Sequence, residues 1–185
     1  DLLKFVDGLS NQSTAELDPL LESEKKRFAG TEVYGKTLGI VGLGAIGSLV
    51  ANMALDLGMR VVGYDPAISV EAAWRLSSRV EKMSSLDALL KESDYITLHV
   101  PAIDVTKGMI NSESMSRMKA GVKLLNFSRK EIVNASDLIA ALDIGKIGSY
   151  VTDFPTPELI GHPKVLAMPH IGASTGEAED NCAVM

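Results

Sequence analysis

The chain has 185 residues, 46% of them hydrophobic, with a formal net charge of −6 and a pI near 5.1. That length buries one good core and part of a second domain, and the acidic balance argues against nucleic acid as a partner. No apolar run approaches the roughly 18 residues that cross a bilayer, no signal-peptide pattern opens the chain, and a lone Cys182 excludes an internal disulfide and any multi-cysteine metal site. A soluble cytoplasmic protein without membrane or metal is the default expectation.

Residues 1–36 are polar with scattered leucines and are expected to be helical from about Thr14 to Phe28. The triplet Lys25-Lys26-Arg27 sits beside Glu22 and Glu24, as a solvated helix face would. The first residues look like the inside of an apolar segment, and a helical pattern starting at Ser174 is still under way at the end. The expectation is a domain of a longer protein, with 1–36 as a helical arm or linker and 37–185 as a dinucleotide-binding domain.

The most informative stretch is Leu38-Gly-Ile-Val-Gly-Leu-Gly-Ala-Ile-Gly47. A short apolar strand meets glycines spaced G-x-G-x-x-G and runs into an apolar, small-residue helix. Gly42 allows the tight turn, Gly44 lets the backbone approach a diphosphate, and Gly47 lets helix pack on strand. The helix N-terminus then offers free N–H groups and a positive dipole end to an anion. The next strand, Arg60-Val-Val-Gly-Tyr64, ends in Asp65, 18 residues after Gly47, where a carboxylate can take both hydroxyls of an adenosine ribose. No Arg or Lys follows directly, so NAD is expected over NADP. The plain alternative is a βαβ unit that merely needs a tight turn.

Further along, strands are expected at 37–41, 60–64, 94–99, 122–126, 147–152 and 164–167, and helices at 45–57, 69–77, 85–91, 112–118 and 136–143. Ser136-Asp137 reads as the N-cap of the last of these, and Gly145 as its stop. Trp74 is expected to pack within its helix. Apolar strands alternating with helices make an α/β fold, a doubly wound parallel sheet of the Rossmann type.

In such a sheet ligands lie across the carboxyl ends of the strands, so polar residues just after strands are the site candidates. His170 follows the last apolar run, Arg129 follows 122–126, and Glu158 follows the strand ending near Thr152. Imidazole, carboxylate and guanidinium at one edge suit reduction of a 2-oxo acid. His can give or take the hydroxyl proton, a carboxylate can fix its tautomer, and Arg can grip the substrate carboxylate with two prongs. Each has a plain alternative as a packed or solvated residue. His99 reads as lining an adenosine pocket. There is no G-x-S-x-G, and three His and one Cys are too scattered for zinc.

Six ordered motifs carry a resemblance: Val-Gly-Leu-Gly-Ala-Ile-Gly, Gly-Tyr-Asp-Pro, Leu-His-Val-Pro, Leu-Leu-Asn-Phe-Ser-Arg, Asp-Phe-Pro-Thr-Pro-Glu and Pro-His-Ile-Gly-Ala-Ser-Thr. From about residue 35 onward the chain resembles the D-isomer-specific 2-hydroxyacid dehydrogenases. The resemblance implies that His170 is the acid/base group, Glu158 its paired carboxylate, and Arg129 the binder of the substrate carboxylate and carbonyl. It places Asp153 on the nicotinamide carboxamide, His99-Val100-Pro101 under the adenosine, and Phe127-Ser128 beside the nicotinamide ribose. The set expected to touch the dinucleotide also takes in Ala45, Ile46, Tyr64, Pro66, Thr106 and Gly172. Two departures stand out: Lys130 replaces a usual Gly, and Phe154-Pro155 alters the loop before Glu158.

The resemblance further implies a separate substrate domain absent from this chain, and a homodimer through the nucleotide-binding domain. The favoured pair is 3-phosphoglycerate and 3-phosphohydroxypyruvate. A glyoxylate or hydroxypyruvate reductase, or a dinucleotide-sensing corepressor-like protein, stays open.

Overall fold

Short, largely apolar strand runs separated by helices give the chain its order, and a computed structural model describes residues 2–178. Cys182 and the far end of the helical pattern from Ser174 lie outside the described residues. The chain divides into a unit ending at Glu32 and a unit beginning at Val33.

The first unit holds α1 (Leu2–Asp7), α2 (Thr14–Glu24) and a 3-10 turn at Lys25–Phe28. Ser13 donates its hydroxyl to the Glu16 carboxylate at 2.7 Å, starting α2. The helix expected to reach Phe28 tightens after Glu24, where Lys25 pairs with Glu22 and Arg27 with Glu24. Arg27 also lies over the Phe5 and Phe28 rings, which stand 5.1 Å apart. The short α1 has too few apolar repeats to show in the sequence.

In the second unit the elements run β1 (Thr37–Val41), α3 (Ala45–Asp56), β2 (Arg60–Tyr64), α4 (Val70–Arg75), β3 (Glu81–Lys82), α5 (Leu86–Glu92), β4 (Tyr95–Leu98), α6 (Ser112–Arg117), β5 (Val122–Asn126), α7 (Ala135–Asp143), β6 (Ile147–Thr152) and β7 (Val165–Ala167). They build one seven-stranded sheet, ordered β3-β2-β1-β4-β5-β6-β7, with every pairing parallel. This is the doubly wound α/β fold expected from the alternation. β3 escapes the sequence pattern because it is two exposed residues long.

Two cores form, one on each face. Leu38, Ile40 and Val61 pack with Ala51, Ala54 and Leu55 of α3. Val41 and Val62 belong to the larger core, with Leu89, Leu90, Met115, Leu138 and Leu142 from α5, α6 and α7. Strands covered on both faces read as unbroken apolar runs, and all five residues of β1 are buried.

Two local expectations are corrected. The cap of α7 is Asn134 and not Ser136-Asp137: its Oδ1 accepts from the Asp137 N–H at 3.1 Å and from the Ser136 hydroxyl at 2.8 Å. Trp74 does not pack: α4 buries none of its residues, and Trp74 is 84% exposed on the outer side of a helix under two turns long.

The register fixes where chemistry can sit. Tyr64, Val41, Leu98, Asn126, Thr152 and Ala167 pair in one row across six strands. The chain leaves the sheet just after that row, so Asp65, Gly42, His99, Phe127 and Asp153 emerge side by side, and His170 follows three residues beyond Ala167.

Candidate dinucleotide cleft and proton-transfer site

The strand order reverses between β1 and β4, and a crevice opens at their carboxyl ends. Gly42 turns the chain there with φ +92°, and a Cβ on it would stand 2.5 Å from the His99 carbonyl oxygen. Gly42 donates its N–H to the Tyr64 carbonyl at 2.9 Å, tying the turn to β2. Gly44 differs: nothing lies within 4 Å of its Cβ position. It is the N-cap residue of α3, where no side chain caps the first turn, so amides of that turn are left to a ligand or solvent.

The cavity beside this turn has a volume of about 570 Å³. Of the residues expected to touch a dinucleotide, Gly42, Gly44, Tyr64, Asp65 and Pro66 line it from the β1–β2 side. His99, Val100, Pro101 and Thr106 line it from the loop after β4. Sequence reasoning missed the apolar wall of Leu86, Ile103, Val105 and Met109. The available signal was a loop carrying bulky apolar side chains, with Val105 81% exposed.

Asp65 accepts from the Leu43 N–H at 2.8 Å through one oxygen and from the Ala67 N–H at 2.9 Å through the other. A carboxylate offers about four acceptor positions, so capacity remains for two ribose hydroxyls. Burial pushes the His99 imidazole below its ordinary value; its Nε2 meets Thr97 Oγ1 at 2.9 Å. No Lys or Arg lines the cavity. An open glycine at a helix start, an apolar wall and an acid at the rim fit an NAD molecule without a 2′-phosphate.

A second group assembles after β5, β6 and β7. Asn126 is fully buried and donates through Nδ2 to the Arg129 carbonyl at 2.9 Å and to the Tyr150 hydroxyl at 3.2 Å. Its Oδ1 accepts from the Ser128 N–H at 3.1 Å, and the Ser128 hydroxyl donates to the Leu98 carbonyl at 2.6 Å. Burial pushes the Tyr150 phenol up, so it stays neutral. This network fixes the loop that presents Arg129.

The Arg129 guanidinium lies 5.4 Å from the centre of the Phe154 ring, and its Nη1 donates to the Ser128 carbonyl at 2.6 Å. The Phe154 and His170 rings stand 4.5 Å apart at 31°. His170 Nδ1 is 2.6 Å from Asp153 Oδ2. Arg129, Asp153 and His170 therefore gather around Phe154, a residue the sequence marked only as a departure from the motif.

Glu158 is not in that group. It lies exposed on a 3-10 turn, Pro157–Leu159, and the carboxylate on His170 is Asp153 where the resemblance had put Glu158. Leu159 is the cause: it is 3% exposed, and residues on a 3-10 turn point about 120° apart. Lys130 is also exposed, on a 3-10 turn anchored by the buried Ile132. Ala45, Ile46, Gly47, Phe127, Ser128 and Gly172 do not line the cavity.

Residues 4–172 match the family described as D-isomer specific 2-hydroxyacid dehydrogenase, NAD binding domain. Among curated proteins, the chain is 42% identical over 167 residues to D-3-phosphoglycerate dehydrogenase of Synechocystis sp., covering 87% of this chain and 30% of that protein. It is 41% identical over 166 residues to hydroxypyruvate reductase of Thermotoga maritima, covering 84% of this chain and 52% of that protein. The chain thus spans between about a third and a half of these relatives. Among solved structures, apo D-mandelate dehydrogenase of Rhodotorula graminis superposes with a TM-score of 0.77 at 29% identity, over 93% of this chain and 51% of that one. The NAD complex of a D-isomer specific 2-hydroxyacid dehydrogenase from Lactobacillus delbrueckii ssp. bulgaricus gives 0.72 at 29% identity, over 83% and 51%. The expected fold, family and cofactor class all stand, and the chain belongs to the D-isomer specific 2-hydroxyacid dehydrogenases as their NAD-binding domain.

Proposed function

We propose that this chain supplies the NAD-binding half and the proton-transfer residues of a dehydrogenase whose substrate pair is 3-phosphoglycerate and 3-phosphohydroxypyruvate, the entry to serine synthesis. The observation that carries the reading is the group of His170, Asp153 and Arg129 at the sheet edge that also opens the dinucleotide cavity. The substrate choice is supported by relatives named D-3-phosphoglycerate dehydrogenase in Synechocystis, Bacillus subtilis and Homo sapiens, at 42%, 39% and 39% identity.

When bound, NAD supplies or accepts the hydride. His170 has Nδ1 engaged by Asp153, which leaves Nε2 to take or give the hydroxyl proton. Arg129, exposed and in no ion pair with a described residue, is available for two-pronged binding of a carboxylate beside the reacting carbonyl. Phe154 lies against both groups, 5.4 Å from the guanidinium and 4.5 Å from the imidazole.

We also infer a homodimer. Neither helix of the unit ending at Glu32 buries a residue, while Leu3 is 77% exposed and Leu2 53%. Such an arm gains by covering apolar surface on a second copy. Sedimentation of the whole protein is expected to give a dimer, and removal of the arm a monomer.

The test of function is NADH oxidation by the whole protein with 3-phosphohydroxypyruvate, hydroxypyruvate, glyoxylate and pyruvate. Turnover is expected to be fastest with the phosphorylated acid, and His170→Ala to lower kcat by about a hundredfold or more. Preference for hydroxypyruvate or glyoxylate would move the protein to the reductases. Tight NADH binding with no turnover of any 2-oxo acid would favour dinucleotide sensing.

A further inference from the structure

We propose that Tyr150 is a positioning residue for substrate binding: its buried hydroxyl ties β6 to the loop after β5 and so sets Arg129 for the carboxylate of the 2-oxo acid. This rests on the reading of Arg129 as the grip on that carboxylate. Tyr150 lies in the larger core and is only 2% exposed. Packing there needs the ring alone, and a hydroxyl taken out of water costs stability unless it is bonded.

Register supplies the bond. Across β5 and β6, Tyr150 pairs with Leu124 and Thr152 with Asn126. Strand side chains lean along the strand, and two residues advance about 6.6 Å, close to the reach of a tyrosine from backbone to hydroxyl. The phenol oxygen therefore arrives at the level of Asn126, whose Nδ2 donates to it at 3.2 Å. The Tyr150 N–H donates to the Lys164 carbonyl at 2.9 Å, so the residue is anchored on the β7 side as well.

From the phenol oxygen two lines of contact run to Arg129. The first passes through backbone. Asn126 Nδ2 also donates to the Arg129 carbonyl, and Oδ1 accepts from the Ser128 N–H. A swing of this carboxamide moves the peptide that carries the guanidinium. The second passes through Thr152, which shares a face of the sheet with Tyr150 and whose hydroxyl is a polar neighbour of the phenol. Thr152 Oγ1 accepts from the Phe154 N–H at 3.0 Å, and the Phe154 ring lies 5.4 Å from the Arg129 guanidinium. One hydroxyl thus stands behind both the backbone and the head group of Arg129.

The experiment is steady-state kinetics of the whole protein carrying Tyr150→Phe, which removes the hydroxyl and keeps the ring. Loss of one neutral hydrogen bond corresponds to a change of about threefold to tenfold. That change is expected in KM for the 2-oxo acid, with kcat and NADH affinity held within about twofold. In an Arg129→Gln background the same substitution is expected to move KM by less than about twofold, because residues acting through one another are not additive. An unchanged KM in Tyr150→Phe, an equal loss of NADH affinity, or the same effect with and without Arg129 overturns the proposal.

A second readout needs no turnover. The Nε–Hε resonance of Arg129 in the nitrogen-15-labelled chain, assigned by its loss in Arg129→Gln, is expected to shift in Tyr150→Phe. An unshifted resonance overturns the proposal too. Wild type that turns over no 2-oxo acid would sink the dehydrogenase reading alone, and this resonance would still decide whether Tyr150 positions Arg129.

Discussion

A Cβ on Gly47 would stand 2.0 Å from the carbonyl oxygen of Gly42, five residues earlier in the same turn. Backbone sits on both sides of that contact, so nothing flexible can give way. Gly47→Ala must push α3 off the end of β1, and overpacking of this kind costs about 1–3 kcal/mol. Gly44→Ala meets nothing within 4 Å and is expected to change stability by less than about 0.5 kcal/mol. Its methyl would instead occupy the space in which a diphosphate approaches α3. Urea unfolding with NADH titration separates the two: Gly47→Ala loses stability and affinity together, Gly44→Ala affinity alone. Equal affinities for Gly44→Ala and wild type would remove the diphosphate from this turn.

Asp65 sets the second prediction. Its two oxygens already hold the Leu43 and Ala67 amides, which keeps the carboxylate oriented over the cavity rim. Hydrogen bonds to a charged group contribute about 1.5–3 kcal/mol, so Asp65→Ala is expected to weaken NADH about tenfold or more. The same change removes the repulsion of a 2′-phosphate, and the NADH-to-NADPH affinity ratio should fall. Fluorescence titration with both cofactors checks this; unchanged values for both mean that Asp65 does not touch the ribose.

His99 makes stability depend on pH. Burial lowers its imidazole in the folded chain, whereas the unfolded chain titrates near the ordinary value of about 6.5. Below that value the unfolded state takes up the proton first, so stability is greatest above it and falls as the pH drops toward the folded value. Urea midpoints between pH 8 and pH 5.5 should decline, and more steeply for wild type than for His99→Gln. Equal slopes would assign the acid sensitivity to other groups.

What the sequence disclosed was set by how local its signals are. The glycine turn and Asp65 were legible because each is a backbone or charge requirement written into consecutive residues, and the register row sets both at the carboxyl edge of the sheet. The strands of the doubly wound sheet were legible for a similar reason: burial on both faces leaves unbroken apolar runs such as β1. β3 was not, because two exposed residues carry no periodicity. The partner of His170 was not either. Choosing between Asp153 and Glu158 depends on which way a 3-10 turn faces, and that is decided by the burial of Leu159. The clustering of Arg129 and His170 on Phe154 is likewise a tertiary fact.

Asn126 carries the last prediction. It is the fully buried end of β5, and its one side chain satisfies the Ser128 N–H, the Arg129 carbonyl and the Tyr150 hydroxyl. Asn126→Ala leaves those groups without partners and opens a small void. The cost is about 1–3 kcal/mol, read as a lower urea midpoint. The effect reaches the substrate through the backbone, because Arg129 loses the bond that holds its own carbonyl while its guanidinium stays intact. KM for the 2-oxo acid is therefore expected to rise several-fold while NADH affinity, set at the β1–β4 crevice, stays within about twofold. If NADH affinity falls as far as KM rises, the loop after β5 serves the cofactor, and Arg129 is not an independent grip on the substrate.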